Sequence, residues 1–539
     1  MPASSTTEQR RGSSPSPDAP DAVHLVVLLH GLFGSPKHVA YLASALEREA
    51  AAQLEHRSDD EAGRKLVVLV AQSNGLSSAH LYDGIDVCAA RVVEEIDAEV
   101  ERIERQGGRV ERFSMVGYSL GGLVARYALG ILDSRTPSFF DSALPSSFTT
   151  FASPAIGVPV WPDSRFSRFA RAVGSNLLSR AGRQLYERDV FLPSSRFDAE
   201  VEQDGAGRQR GEQKHRRGDP LLKVMADPQY SFYRALAKFE RFDLFANTVN
   251  DRTVPFPTGG IEAHDPFAEA LRKAKKLAQD RDDDPDAVLD LREGGLELTL
   301  DPDAPIVTAS RPVPAPASTS ISTQTRPRRL PRIRLPFILR PSTFPLPKPL
   351  ALIFIATLPI VYPLALVALV SRSLLQIPQS GRRIRRARLK VDGGREGWLA
   401  RAGISVEEMA EVLQGSTQSE GHLIDDEQGD ASTRATSSAG SRAPLLDGGD
   451  VDDADAEADE PSALSSASIS AGAATDPALS SSQLFQVEQL NSLPNLHKHY
   501  VHLIDTVWAH GAIICRNPKH QAQSCTAVVD WWAKRRFEL

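Results

Sequence analysis

Residues 23–29, Val-His-Leu-Val-Val-Leu-Leu, form a nearly unbroken apolar run of strand length. Such a run suits a central strand buried on both faces. Residues 65–70, Lys-Leu-Val-Val-Leu-Val, repeat the pattern. Between these runs, residues 39–52 have helical character. Residues 84–106 predict an amphipathic helix through Val92, Val93, Ile96, Val100 and Ile103. A short buried strand over 112–116 precedes a helix in which Leu120, Leu123, Val124, Tyr127 and Ile131 recur at helical spacing. Further strands are predicted over 147–153 and 242–249. Strands alternating with helices imply a parallel sheet covered on both faces.

The pattern is looser elsewhere. Residues 202–219 are polar. Residues 227–239 read as a helix with an aromatic stripe of Tyr230, Phe232, Tyr233, Leu236 and Phe239, suited either to a core or to a cap over a pocket. Residues 266–301 are highly charged and partly helical, and 311–349 are rich in proline and arginine. Residues 350–370 are apolar and uncharged, and 382–390 are strongly basic. Residues 416–482 carry serine, alanine and aspartate with few large apolar groups, too few to bury surface and order the chain. Folded character resumes near residue 490. There is no internal repeat.

A chain of 539 residues is long enough for more than one domain. A net charge of −7 argues against a whole-protein nucleic-acid binder. Cys88, Cys515 and Cys525 are widely spaced and fit neither a disulfide framework nor a zinc ribbon. A reducing compartment is the simpler inference. The first residues lack the apolar core of a secretory signal and read as a disordered leader, which argues against secretion.

The chemistry centres on Gly117-Tyr-Ser119-Leu-Gly121. It fits Gly-x-Ser-x-Gly, in which a strand turns sharply into a helix and lifts the serine hydroxyl out of the sheet. The strand before it and the helix after it are the context the motif requires. A serine hydroxyl needs a base to take its proton, and an acid to orient that base. Asp251 follows the strand predicted over 242–249, at the carboxyl end where such sheets present reactive groups. Asp243 is its rival but falls inside the strand. Candidate histidines beyond the acid are His264, His497, His499, His502, His510 and His520. His510 lies between two small residues ahead of an apolar run, so its ring can approach the serine. His497, His499 and His502 are an alternative metal cluster, but no acid or cysteine stands at matching spacing, so no metal is expected. Backbone N–H groups of Leu32, in the glycine-bearing loop after the first strand, and of Leu120, at the helix start, are the candidate oxyanion donors.

Several motifs together carry a family resemblance: His30-Gly-Leu-Phe-Gly-Ser35, Tyr82-Asp-Gly-Ile-Asp86 with Arg91 and Glu95-Ile96, the serine elbow, Phe148-Thr-Thr-Phe-Ala-Ser-Pro154, Asn250-Asp-Arg-Thr-Val254 and His510-Gly-Ala-Ile-Ile-Cys-Arg516. They resemble the "Putative serine esterase" family of α/β-hydrolases, and are especially similar to its fungal branch of lipid-droplet phospholipases and monoacylglycerol lipases. The resemblance covers roughly residues 22–260 and 495–530. It implies an α/β-hydrolase fold, with Ser119 as nucleophile, Asp251 as acid and His510 as base, and no cofactor. Members often carry histidine before the serine, where this chain has Tyr118, a position outside the chemistry.

The expected organisation is therefore a disordered leader over 1–20 and a catalytic domain over 21–260 and 491–539. Between its two parts lie a linker over 261–348, an apolar membrane segment over 349–371, a basic region over 372–411 and a disordered segment over 412–490. A cap region is expected over the pocket. The expected substrate is an acyl ester of a membrane or lipid-droplet lipid. The rival readings are an acyl-protein thioesterase and a catalytically silent membrane scaffold. The expected location is the cytoplasmic face of a lipid droplet or of the endoplasmic reticulum.

Residues 350–370 are long enough to cross a bilayer once. Pro359 and Pro363 interrupt the run, and each half then matches one leaflet. Arginines flank both ends, which favours keeping both on the cytosolic side. The insert also separates Asp251 from His510, and both must meet Ser119 in one aqueous compartment. A hairpin, an even number of crossings or surface binding satisfies this; a single crossing does not. Reporter tags near Ser310 and Ser416 are expected on the same side of the membrane in a protease-accessibility assay; opposite sides would contradict the hairpin.

Overall fold

The computed structural model describes residues 21–55, 64–75, 80–159, 174–191, 218–281, 290–314, 479–506, 508–518 and 523–539, with scattered helical positions between 357 and 383. An eight-stranded sheet runs in the order β2-β1-β3-β4-β5-β8-β7-β6. Its strands are β1 Asp21–Leu29, β2 Lys65–Val70, β3 Gly108–Tyr118, β4 Leu144–Phe151, β5 Arg241–Asn247, β6 Leu296–Leu300, β7 Ile306–Pro312 and β8 Leu496–Val501. The first six in that spatial order are parallel. β7 and β6 close the far edge in antiparallel fashion.

The helices relevant to the site are α1 Ala40–Glu55, α2 Ile85–Arg105, α3 Leu120–Asp133, α4 Ser179–Leu185, α5 Leu221–Ala226, α6 Ser231–Lys238, α7 Phe256–Gly260, α8 Pro266–Arg281, α9 Ser481–Asn491, α10 Ala509–Ala512 and α11 Gln523–Arg536. The alternation of β1 divides them. Val23, Leu25, Val27 and Leu29 pack with α2, α3, α5 and α6. Val26 and Leu28 point the other way and pack with α1 and α11. Strand side chains alternate between faces, so burial of both sets requires helices on both sides. This is the physical content of an unbroken apolar run.

The aromatic stripe of 227–239 belongs to the core. Phe232 of α6 is fully buried and its ring lies 4.7 Å from that of Tyr127 on α3. Gly130 makes this contact, because a Cβ there would sit 2.1 Å from the Phe232 ring.

The structure departs from the sequence reading in residues 261–314. The stretch expected to be a linker, partly helical over 266–301, contributes α8 in keeping with that reading and the β6–β7 hairpin, which the reading did not contain. Phe267 and Ala270 of α8 join Phe256 and Leu291 in a small buried cluster, and β7 pairs with β8 at Ile306 and Val307. α9 likewise lies within the stretch expected to be disordered; it starts behind a Ser480 cap that accepts from the Gln483 N–H at 3.0 Å. β3 and β4 also extend beyond the 112–116 and 147–153 expected of them, toward their amino ends, and β3 runs on to Tyr118.

The expected leader 1–20, most of the polar stretch 202–219, the proline- and arginine-rich stretch from 315, most of the apolar segment 349–371, the rest of the basic region from 384 and the serine-rich segment up to 478 lie outside the described residues. Among the described residues, no helix is long and apolar enough to cross a membrane.

α11 closes the sheet from one side through Trp532, which is 2% exposed. Its indole N–H donates to Thr149 Oγ1 at 3.3 Å, and its ring meets Phe151 edge-on at 5.4 Å. Trp532→Ala is expected to lower unfolding free energy by about 3–5 kcal/mol, read from the urea midpoint at an unchanged slope.

Candidate active site

β3 ends at Tyr118 and α3 begins at Leu120, so Ser119 occupies the turn between them. Its backbone is at φ 55°, ψ −129°, a conformation costly to any residue with a Cβ. The turn holds because its flanks have no room to relax. A Cβ on Gly117 would lie 2.4 Å from the Gly122 Cα, and one on Gly121 would lie 2.6 Å from the His30 carbonyl oxygen. The Ser119 N–H donates to the Phe151 carbonyl at 2.9 Å.

His510 reaches the serine from α10. Ala509, Ala512, Ile513, Ile514 and Cys515 are buried around it and fasten the short helix beneath the sheet's carboxyl edge. The Ser119 hydroxyl lies 3.0 Å from His510 Nε2. His510 Nδ1 in turn lies 3.0 Å from Asp251 Oδ2. A carboxylate only accepts, so Nδ1 carries the proton and Nε2 is left to accept from the serine.

Asp251 follows β5 and is itself held. Its Oδ1 accepts from the backbone N–H groups of Thr253 and Val254 at 2.9 and 2.8 Å, and its Oδ2 accepts from Asn247 Nδ2 at 2.9 Å. The Asp251 and His510 loops are tied directly. Asn250 Nδ2 donates to the Leu503 carbonyl at 2.9 Å, and the Ala509 N–H donates to the Asn250 carbonyl at 3.3 Å. Tyr118 lies under the imidazole with ring centroids 5.1 Å apart.

The loop after β1 wraps the serine. A Cβ on Gly31 would lie 2.5 Å from the Ser119 Cβ, so the chain passes closer than any side chain permits. Leu120 is the first residue of its helix, and its N–H has no intrahelical acceptor. Among the described residues the Leu32 N–H donates to no backbone carbonyl. Both amides thus retain their donor capacity beside the serine. His30 braces the loop: its Nδ1–H donates to the Gly31 carbonyl at 3.0 Å. Burial pushes its imidazole below the usual histidine range, which favours the neutral ring.

Two of the remaining histidine candidates are engaged elsewhere, and His520 lies outside the described residues. His499 Nε2 lies 2.9 Å from Asp243, which also accepts from Arg536. His502 Nδ1 lies 2.8 Å from Thr248 Oγ1. Asp243, the rival acid, is therefore buried inside β5 in a contact between strand and C-terminal helix.

Sequence reasoning gave no role to Asn247, because a polar residue at a strand end has many local explanations. It also gave none to Asp83 and Asp86. Asp86 accepts from Arg180 of α4 and from Gln184 Nε2, the latter at 2.9 Å. Asp83 accepts from Arg91 and from Arg383, 300 positions away. Their sequence signal was the Tyr82-Asp-Gly-Ile-Asp86 motif, whose partners lie far off in the chain. A third motif residue, Glu95, accepts from the backbone N–H groups of Gln72 and Ser73.

Residues 19–265 match the family described as "Putative serine esterase (DUF676)". A protein of Schizosaccharomyces pombe named a "Putative lipase" is 32% identical over 155 residues, covering 29% of this chain and 17% of its own length. Two proteins of Saccharomyces cerevisiae bearing the same description are 25% and 24% identical, over 44% and 48% of this chain and 32% and 31% of their own lengths. The matched part thus spans a third or less of these relatives. Among solved structures, an extracellular α/β-hydrolase from a Paenibacillus species is 15% identical and covers 44% of this chain and 82% of its own, at a TM-score of 0.22. A likeness that low carries no argument. The mostly parallel sheet and the strand–serine–helix turn rest on this chain's own geometry.

The strain at Ser119 has a measurable consequence. Ser119→Gly is expected to be more stable than Ser119→Ala by about 1 kcal/mol or more, because only glycine relieves the positive φ. Urea unfolding of the two variants compares them directly; equal midpoints would contradict a strained turn.

Proposed function

We propose that the chain is a serine carboxylic-ester hydrolase acting on acyl esters of membrane or lipid-droplet lipids. The observation that carries this reading is the continuous relay from Ser119 through His510 to Asp251, with 3.0 Å at each contact. His510 Nε2 takes the Ser119 proton as Oγ attacks the ester carbonyl. The Leu32 and Leu120 N–H groups receive the charge that develops on the carbonyl oxygen. Asp251 keeps Nδ1 protonated and stabilises the imidazolium. His510 then returns the proton to the leaving alcohol or lysolipid. Water enters and attacks the acyl-serine carbonyl as His510 takes its proton; the acyl–Oγ bond then breaks, His510 gives that proton to Ser119 Oγ, and the fatty acid is freed. All groups in this sequence belong to the chain, and the reading calls for no cofactor.

Three features support a lipid substrate: the names given to the fungal relatives, the apolar run over residues 350–370 and the arginines that flank it. Residues of this composition bind lipid surfaces and attract anionic headgroups. In this reading the protein acts at the cytoplasmic face of a lipid droplet or of the endoplasmic reticulum, and the apolar run with its flanking arginines supports that proposal.

The test is turnover by purified full-length protein on phospholipid, monoacylglycerol and acyl-thioester substrates. Ser119→Ala is expected to remove oxygen-ester turnover, a loss of about a million-fold, while leaving vesicle binding intact. Unchanged turnover in the variant would refute the nucleophile. Turnover confined to thioesters would favour an acyl-protein thioesterase instead.

A further inference from the structure

Arg126 lies on α3, about two turns beyond Ser119, and is 3% exposed. A guanidinium carries several N–H donors and a fixed positive charge. Here Nη1 donates to the Ala155 carbonyl at 3.1 Å, while Nε and Nη2 meet no acceptor. Among the described residues no carboxylate pairs with it. Burial alone acts on its titration and pushes it down to about 9, so the group stays charged at neutral pH. Arg91, Arg180 and Arg536 are less buried, yet each has a carboxylate partner, in Asp83, Asp86 and Asp243 respectively. An unpaired charge in a protein interior is heavily penalised. Arg126 therefore calls for a countercharge that its own surroundings do not supply.

The surroundings do supply a space. Arg126 lines a cavity between α3 and the exit of β4, and every residue lining it is buried. Leu123, Phe148 and Leu490 give it apolar walls, while Thr150 and Ser153 bring hydroxyls that can donate. The cavity has room for about one water-sized particle. Gly122 draws these groups together. It precedes Arg126 by four positions, on the same face of α3. A Cβ there would lie 2.4 Å from Ser153 Oγ, so the helix approaches the strand exit more closely than a side chain permits.

We propose that this cavity binds one small inorganic monoanion of halide size, gripped by Nε and Nη2 of Arg126 with the Ser153 hydroxyl beside them. Geometry favours a single atom as the ligand. Nε–H and one Nη2–H leave the same edge of the planar guanidinium, so both can point at one centre. Size rules against a carboxylate or a phosphate in a space that admits about one water. Charge rules against water as the whole answer: a water molecule satisfies the donors but leaves the cation unpaired.

The site also has a structural task. The Ser119 N–H donates to the carbonyl of Phe151, the last residue of β4. Ala155, held by Arg126, follows four positions later. The bound ion thus fastens the helix that starts at the serine turn to the strand exit that holds the same turn. None of this depends on which ester the chain hydrolyses, or on its being a hydrolase at all.

The experiment is thermal unfolding of the full-length protein at one fixed ionic strength in sodium chloride, bromide, acetate or gluconate. Chloride and bromide are expected to raise Tm by at least about 2 °C over gluconate. Acetate is too large for the cavity and should match gluconate. In Arg126→Met the halide effect should vanish, which separates the site from any general action of these salts on the surface. A second measurement stands if that variant fails to fold. Crystals of the parent protein grown in bromide should show an anomalous scattering peak in contact with Nε and Nη2 of Arg126. Equal midpoints in halide and gluconate for the parent overturn the proposal. So does acetate matching chloride, or a halide effect that survives in Arg126→Met. Ordered water at Arg126 with no anomalous signal overturns it too.

Discussion

The parallel pairing of β8 with β5 is the constraint on which the site depends. It runs from Phe242 opposite Leu496 to Asn247 opposite Val501. Asp251 leaves the sheet at the end of β5, and His510 follows β8. Residues separated by 259 positions thus emerge side by side at one edge. The chain between them is free in length and composition so long as its two ends return to neighbouring strands. This is why a catalytic arrangement tolerates an insert of low complexity: loop-closure cost grows only slowly with length, and the buried pairing of two strands offsets it. The same pairing makes the topology of the apolar segment a chemical matter, since both strands must lie in one compartment.

Much of this was legible beforehand, for a definite reason. β1 announces itself because it is buried on both faces, which turns an alternating pattern into an unbroken one. The second half of α2 announces itself because one face is buried and the other meets solvent, whereas Ile85–Ala90 are buried on every side. The turn at Ser119 is legible because the steric demand falls on a few residues. Gly117 and Gly121 are forced by the contacts now seen at Gly122 and at His30, and a strained serine between them has few other uses.

The parts that were missed depend on distant partners. Leu296, Leu298 and Leu300 alternate as a half-buried strand should, and a proline-rich turn follows. The pattern is short and sits among charged residues, and β7 finds its partner in β8 some 190 positions later. The roles of Asp83 and Asp86 are equally remote. Each acidic side chain is satisfied by an arginine from a different excursion of the chain, Arg383 for one and Arg180 for the other. Local pattern specifies which face of an element is buried. It does not specify which later segment brings the countercharge. Asp243 and His499 give the complementary lesson: a buried acid and histidine in contact also serve to join β5, β8 and α11, so that pairing alone does not mark a reactive site.

The central claim is that His510 activates Ser119 across this junction. The most direct measurement is the second-order rate at which a fluorophosphonate modifies Ser119, compared between the parent chain and His510→Gln, with the adduct located by peptide mass spectrometry. The account predicts labelling at Ser119 that falls by about a thousandfold or more when the imidazole is lost. Equal rates in the two proteins, or no adduct at Ser119 in the parent, would contradict it.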